Sequence, residues 1–114
     1  MAGALALNTY KTVSIAVTTG ITTVYTAPSG VASIHLFSVV SNISSGISTV
    51  TVYFTKAGAG GTQYELIKEA KIPATDALNP ISGSLVLETG DKIEIQGSSD
   101  STMKYTLSIL ESAK

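Results

Sequence analysis

The chain has no cysteine, no tryptophan and no arginine, and only one histidine, His35. Without cysteine there is no disulfide framework, no thiolate nucleophile and no thiolate metal ligand. Without arginine the usual bidentate contacts to phosphate and guanine are missing. All seven cations are lysines and the net charge is −1, so no long-range field draws in nucleic acid, and none is expected as a partner. Charge of either sign is scarce, at 13% of residues against about 25% for a typical soluble domain. Long apolar runs are missing too. The strongest, Val31 to Val40, is interrupted by Ser33, His35 and Ser38 and is too short to cross a bilayer as a helix, so no membrane partner is expected. Met1-Ala-Gly-Ala-Leu-Ala-Leu7 is apolar but brief, lacks a basic flank and meets polar Asn8-Thr9 at once. It does not read as a signal peptide.

What is present is strand-forming material. Thirty serines and threonines are spread among twenty valines and isoleucines, and β-branched residues suit a pleated, half-buried surface. A chain of 114 residues makes one domain and buries a core without metals or disulfides. So little charge at a mean hydropathy of +0.34 implies a surface partly covered by partners, as in a homo-oligomer or larger assembly. No window shows helical periodicity. Alternation with period two recurs instead, punctuated by Gly, Pro, Asn and Ser.

The segments expected as strands are Lys11–Thr19, with Val13, Ile15 and Val17 on one face, and Ile21–Ala27, closed by the turn Ala27-Pro28-Ser29-Gly30. Val31–Ile43 follows. Ile34 and Leu36 fall on one face and Phe37 and Val39 on the other, so it is buried on both sides or carries a bulge. Thr49–Lys56 places Val50, Val52 and Phe54 inward and Thr51, Tyr53 and Thr55 outward. A flexible hairpin loop, Lys56–Thr62, leads to Tyr64–Ile72, whose charges also permit a helical turn. Pro73–Pro80 reads as a loop. Ser82–Glu88, Lys92–Gln96 with Ile93 and Ile95 inward, and a last strand with Met103, Tyr105, Leu107 and Ile109 inward complete the set. Eight short strands at this spacing predict an all-β, eight-stranded antiparallel β-sandwich, jelly-roll-like, over residues 11–114, preceded by an N-terminal arm, 1–10, suited to docking on a neighbour.

Candidate sites are few. His35 lies mid-strand between Ile34 and Leu36, with no cysteine and no G-x-S-x-G elbow to serve. It reads as a structural or an interface histidine; at a subunit contact it would make assembly pH-sensitive. Gly58-Ala59-Gly60-Gly61-Thr62 lacks the Lys-Ser/Thr of a phosphate loop and leads into a strand, so it reads as a hairpin loop. Asp76, Asp91 and Asp100 lack calcium-loop spacing and read as turn residues, and Glu65 and Glu69 read as solvated charges. Asn42-Ile43-Ser44 matches a glycosylation sequon but has no secretory context. No catalytic, metal or cofactor residue is expected. The expected interface residues are Leu5, Leu7, Tyr10, His35 and Tyr53.

Three stretches carry a resemblance: Thr22-Thr-Val-Tyr-Thr-Ala-Pro-Ser-Gly30, Ile67-Lys-Glu-Ala-Lys-Ile-Pro73 and Leu85-Val-Leu-Glu-Thr-Gly-Asp-Lys-Ile-Glu-Ile95. The chain resembles, over about residues 11–110, small structural proteins of tailed bacteriophages, especially those of cyanophages and other marine phages. The resemblance implies a virion component made in the host cytoplasm, with a jelly-roll-like fold and no catalytic residue to carry over. It further implies a capsid decoration or cement protein, a homotrimer on the outer shell whose partners are the major capsid protein or other virion proteins. Alternatives are a neck, tail or fibre-attachment protein, and a carbohydrate-binding module.

Overall fold

The computed structural model describes residues 8–113. They form nine strands: β1 (Asn8–Ala16), β2 (Thr22–Thr26), β3 (Val31–Asn42), β4 (Ser48–Lys56), β5 (Thr62–Ile72), β6 (Ala77–Leu78), β7 (Leu85–Leu87), β8 (Lys92–Gly97) and β9 (Met103–Ala113). All pairings are antiparallel. One sheet has the order β1-β9-β3-β6, with β7 also on β3; the other has the order β2-β8-β4-β5.

The topology is one long hairpin rolled up. Asn8 lies opposite Ser112, Thr22 opposite Ile95, Ser33 opposite Leu87, Val40 opposite Leu78, Ser48 opposite Ile72 and Lys56 opposite Thr62. Every strand of the first half thus pairs with its mirror in the second, about a tip at the 3-10 turn Ala57–Ala59. Rolling the hairpin adds two further ladders, β3 with β9 and β4 with β8, which close the two sheets of a jelly roll. The all-β sandwich expected from the sequence is present, with nine strands rather than eight. The extra one, β6, lies inside the segment read as a loop, Pro73–Pro80. β6 and β7 are two pieces of one strand position beside β3, interrupted by Asn79–Ser84, where Pro80 removes a donor and Gly83 has φ 72°. Asn8, Thr9 and Tyr10, read as the end of an arm, are strand residues paired with β9. Leu5 and Leu7 lie outside the described residues.

The core lies between the sheets. Val50, Val52, Ile93, Ile95, Met103, Tyr105, Leu107 and Ile109 are all buried on the faces their alternation predicts. Tyr64–Ile72 belongs to a strand and not a helix. Its alternation is blurred because Val50, Val52 and Tyr53 oppose Ala70, Ile67 and Glu65, so β5 carries extra residues on either side of Ile67. Glu69, at one of these bulges, has φ 46°, and its N–H donates to Thr51 Oγ1 at 3.0 Å in place of a ladder bond.

Among the described glycines, Gly97 is the one packed most tightly against core side chains. A Cβ there would lie 2.7 Å from Val17 Cγ1 and 2.9 Å from Met103 Cε, both side chains fully buried. The stiff β-branched Val17 cannot turn away. Gly97→Ala is therefore expected to destabilise the fold by about 1–3 kcal/mol through overpacking. Urea denaturation would check this, and an unchanged midpoint would show that the core yields freely.

Candidate interaction surface

β3 decides what this protein shows to solvent. An extra residue at Leu36, between the pairs His35–Ile109 and Phe37–Ser108, forms a β-bulge. The inward positions are Ser33, His35, Ser38, Val40 and Asn42, all buried. The outward positions include Ile34 and Val39, and Leu36 and Phe37 are 45% and 47% exposed. The strand is inverted, with polar residues inside and large apolar ones outside. The bulge, one of the two arrangements expected, brings Ile34, Phe37 and Val39 to a common face, where strict alternation would have divided them.

The apolar residues continue across the sheet. Tyr10 lies opposite Leu110, Leu110 opposite Ile34, and Ile34 opposite Val86. Directly opposed residues share a face, so these four form one row over β1, β9, β3 and β7. Tyr10 is 71% and Val86 60% exposed. The neighbouring rows are Asn8–Ser112–Ala32, Thr12–Ser108–Phe37 and Ser14–Thr106–Val39. Thr12 and Ser108 hydroxyls lie 3.2 Å apart, and those of Ser14 and Thr106 3.1 Å apart. None of these residues is charged. A hollow of about 470 Å³ at Ala32, Val86, Leu87, Glu88 and Thr89 extends the face past its corner.

The other sheet turns a polar face outward. Glu94 accepts hydrogen bonds from Thr23 Oγ1 at 3.1 Å, Gln63 Nε2 at 3.0 Å and the Thr55 hydroxyl. Burial works to raise its carboxyl, but these donors and nearby Lys92 outweigh it and hold the pKa below the ordinary value. Tyr53, expected at an interface, is half-buried and donates to Gln96 Oε1 at 3.0 Å. With Thr49, Thr51, Lys68, Glu69 and Ser98 these two line a hollow of about 330 Å³.

His35 is not at the surface. It is 1% exposed inside the sandwich, and its Nδ1 lies 2.9 Å from Gly83 O, which makes Nδ1 the donor in the neutral ring. His35 is thus the structural histidine of the two readings, and its place among the expected interface residues is corrected: the bulge at Leu36 leaves His35 on the inner face of β3. Nε2 has no partner, and the buried Ser38 Oγ and Tyr105 hydroxyl are near neighbours that make no hydrogen bond of good geometry. Burial lowers the His35 pKa below 6.5 and pushes the Tyr105 hydroxyl up to about 12. A second interior group is satisfied: the Tyr25 hydroxyl donates to Glu111 Oε2 at 2.5 Å and lies 2.8 Å from Ser33 Oγ, while Lys11 Nζ reaches Glu111 at 3.3 Å. The sequon Asn42 is 2% exposed and its amide donates to Ile72 O and Gly46 O at 2.9 and 2.7 Å, so it is a structural residue closed to modification in the folded chain.

Asp91 is the functional-looking acid that sequence reasoning passed over as a turn residue. It is fully buried at one end of the sandwich. Its carboxylate accepts the N–H of Glu88 at 2.9 Å, Lys56 Nζ at 3.0 Å and the N–H of Ala57 at 3.0 Å. Its backbone accepts the N–H of Ala27 at 2.8 Å. One residue thereby ties together the hairpin tip, the Leu87–Asp91 turn and the Ala27–Gly30 turn. Asp76 and Asp100 serve other turns, bonding the N–H of Ala77 and of Thr19. The three acids do not converge, and the described residues contain no group of three or more metal-ligating acids or histidines.

No family model matches the chain, and no curated protein matches it. Among solved structures, its fold is similar to that of a protein of Bacillus endospore appendages, described as disulfide-linked pili. The TM-score is 0.55 at 13% identity, over 100% of this chain and 96% of that one. It is also similar to a protein of the T13 viral particle of IBDV, again with a TM-score of 0.55 at 13% identity, over 95% of this chain and 31% of that one. At such identity the likeness is one of fold. This chain, having no cysteine, has no means of forming the disulfide links of the pili.

Two expectations follow for stability. Burial would raise the Asp91 carboxyl, but its three donors outweigh this and hold it below 3.8. Its folded form thus binds a proton less readily than its unfolded form, and its contribution is present above pH 3.8 and lost as pH falls through the folded value. His35, also depressed, is neutral when folded, so stability is complete above pH 6.5 and declines as pH falls from 6.5 toward its folded pKa. Thermal unfolding against pH should show both declines. His35→Gln should abolish the upper one, and Asp91→Asn should cost about 2 kcal/mol at pH 7 by removing an acceptor of charge-assisted bonds. A profile flat from pH 7 to 5 would contradict the burial of a neutral His35. Separately, Tyr105→Phe removes a hydroxyl that makes no hydrogen bond of good geometry. It should leave stability unchanged or raise it by up to about 1 kcal/mol, and a loss above that in denaturant titration would show that the hydroxyl is bonded.

Proposed function

We propose that this chain is a virion structural protein, specifically a capsid decoration (cement) protein. Copies would sit as a trimer on the outer surface of the shell and clamp adjacent capsomers. The observation that carries the reading is a jelly roll whose outer face is uncharged and carries an apolar row across four strands with Phe37 and Val39 beside it, a surface suited to burial against protein. Two further points support it. The motifs Thr22–Gly30, Ile67–Pro73 and Leu85–Ile95 resemble those of small structural proteins of tailed phages. Both structural neighbours above come from assemblies, one a pilus and one a viral particle.

Two features of the geometry support a clamping role. Antiparallel ladders within each sheet resist shear along the shell. Asp91 locks the three turns at one end, so a load on the hairpin tip passes into both sheets. We assign no catalytic role to any residue and no cofactor. A neck or tail position would use the same surface in a ring of higher order. Leu5 and Leu7, in the N-terminal segment, are proposed as additional contacts with a neighbour.

Mass spectrometry of particles purified from cells that carry the gene tests the reading. The protein should be present in many copies per particle and be released intact by mild denaturant before the shell dissociates. Particles lacking it should lose their genome at lower temperature. Absence from purified particles would overturn the proposal, and a copy number of six or twelve would move the protein to the neck or tail.

A further inference from the structure

Resting on the reading of the chain as an assembling subunit, we propose that the outer face of the β1-β9-β3-β7 sheet is the surface on which a second copy of this chain docks, sheet against sheet, along the row Tyr10–Leu110–Ile34–Val86. The first argument is the inversion of β3. A register in which Ile34, Phe37 and Val39 faced the core would bury more apolar surface in the monomer. Instead Val40 is the one apolar residue at the buried positions of β3, which otherwise carry Ser33, His35, Ser38 and Asn42, with His35 Nε2 lacking a partner. Hydrogen bonds of Ser33 and Asn42 hold this register within the chain, and covering the outward apolar residues would lower its free energy further.

Neutrality says what covers them. A two-fold pair, which would join one trimer to the next rather than close the trimer, places each patch against its own copy, so any charge on it would meet a like charge. The four rows contain none, while Lys68, Glu69, Lys92 and Glu94 lie on the other sheet, and Glu88 and Lys104 lie at the margins. The hydroxyl pairs Thr12–Ser108 and Ser14–Thr106 already bond each other and need nothing from a partner. A charged partner of any other chemistry would find no complement here.

Size agrees. Three strands about 4.8 Å apart, crossed by four rows about 7 Å apart and extended by Val86 on a fourth strand, give a flat footprint of roughly 400 Å². That is at the small end of specific interfaces, which average about 800 Å² of accessible surface per partner. It suits a contact that is weak in pairs and firm in an assembly. The two copies would pack with their sheets about 10 Å apart, as the sheets of a sandwich do.

Analytical ultracentrifugation of the full chain over a wide concentration range is the test. The wild type should self-associate reversibly. Val86→Lys and Ile34→Lys should each weaken association at least tenfold, with an unchanged melting temperature for Val86→Lys because that residue is 60% exposed. Ile47→Lys, an exposed loop residue away from this face at 69%, should have no effect. In the cysteine-free background, Val86→Cys should cross-link copies with a short bis-maleimide and Ile47→Cys should not. A wild type that associates but ignores Val86→Lys and Ile34→Lys overturns this surface and leaves the virion reading standing. So does association lost only on deletion of residues 2–7, which would give the contact to the N-terminal segment. A wild type monomeric at every concentration overturns the surface as a self-contact, whatever mass spectrometry of the particles shows.

Discussion

The register of β3 is the constraint on which the rest of this molecule depends. β3 is central in its sheet, paired with β9 on one side and with β6 and β7 on the other. Polar bonds hold it from both ends. Ser33 joins Tyr25 and Glu111 at one end, while Asn42 at the other uses its whole amide, donating to Ile72 O and Gly46 O and accepting from Ser44. A slip by one residue would break both anchors and turn every side chain over. The bulge at Leu36 then sends the apolar half outward. Core composition, the burial of His35 and the uncharged outer face are three consequences of one pairing.

Asp91 plays the complementary part at the hairpin-tip end. A jelly roll made from one rolled hairpin must fix its tip, and here the tip is glycine-rich and has no buried residue. A buried carboxylate with two backbone N–H donors and one ammonium does the fixing, since a charge so placed is stable only while all its donors stay. Its geometry also explains a sequence pattern. In Leu87-Glu-Thr-Gly-Asp91, Gly90 takes φ 87° so that Asp91 points inward and Glu88 outward, and Lys56 spans both carboxylates. The pattern that carries part of the phage resemblance is a structural device.

How much of this was legible in the residues depended on periodicity. β4, β8 and most of β9 alternate cleanly, and their inward residues were readable in advance because apolar residues alternate there with hydroxyl-bearing, amide or charged ones. β5 and β3 were not, since each carries a bulge that resets the alternation partway. β6 was missed because two residues between Asp76 and Asn79 carry no period at all. The face of His35 was not readable from alternation, because in a bulged strand it depends on where the extra residue falls.

The sequence by itself determined the class of fold, most of the core and the poverty of reactive chemistry, because these follow from residue type and local spacing. Only the tertiary structure decided the order of the strands, the burial of Asp91 and the face on which the apolar residues gather. Those depend on pairings between residues as far apart as Tyr10 and Leu110, and no local pattern encodes which of two faces a distant partner will cover.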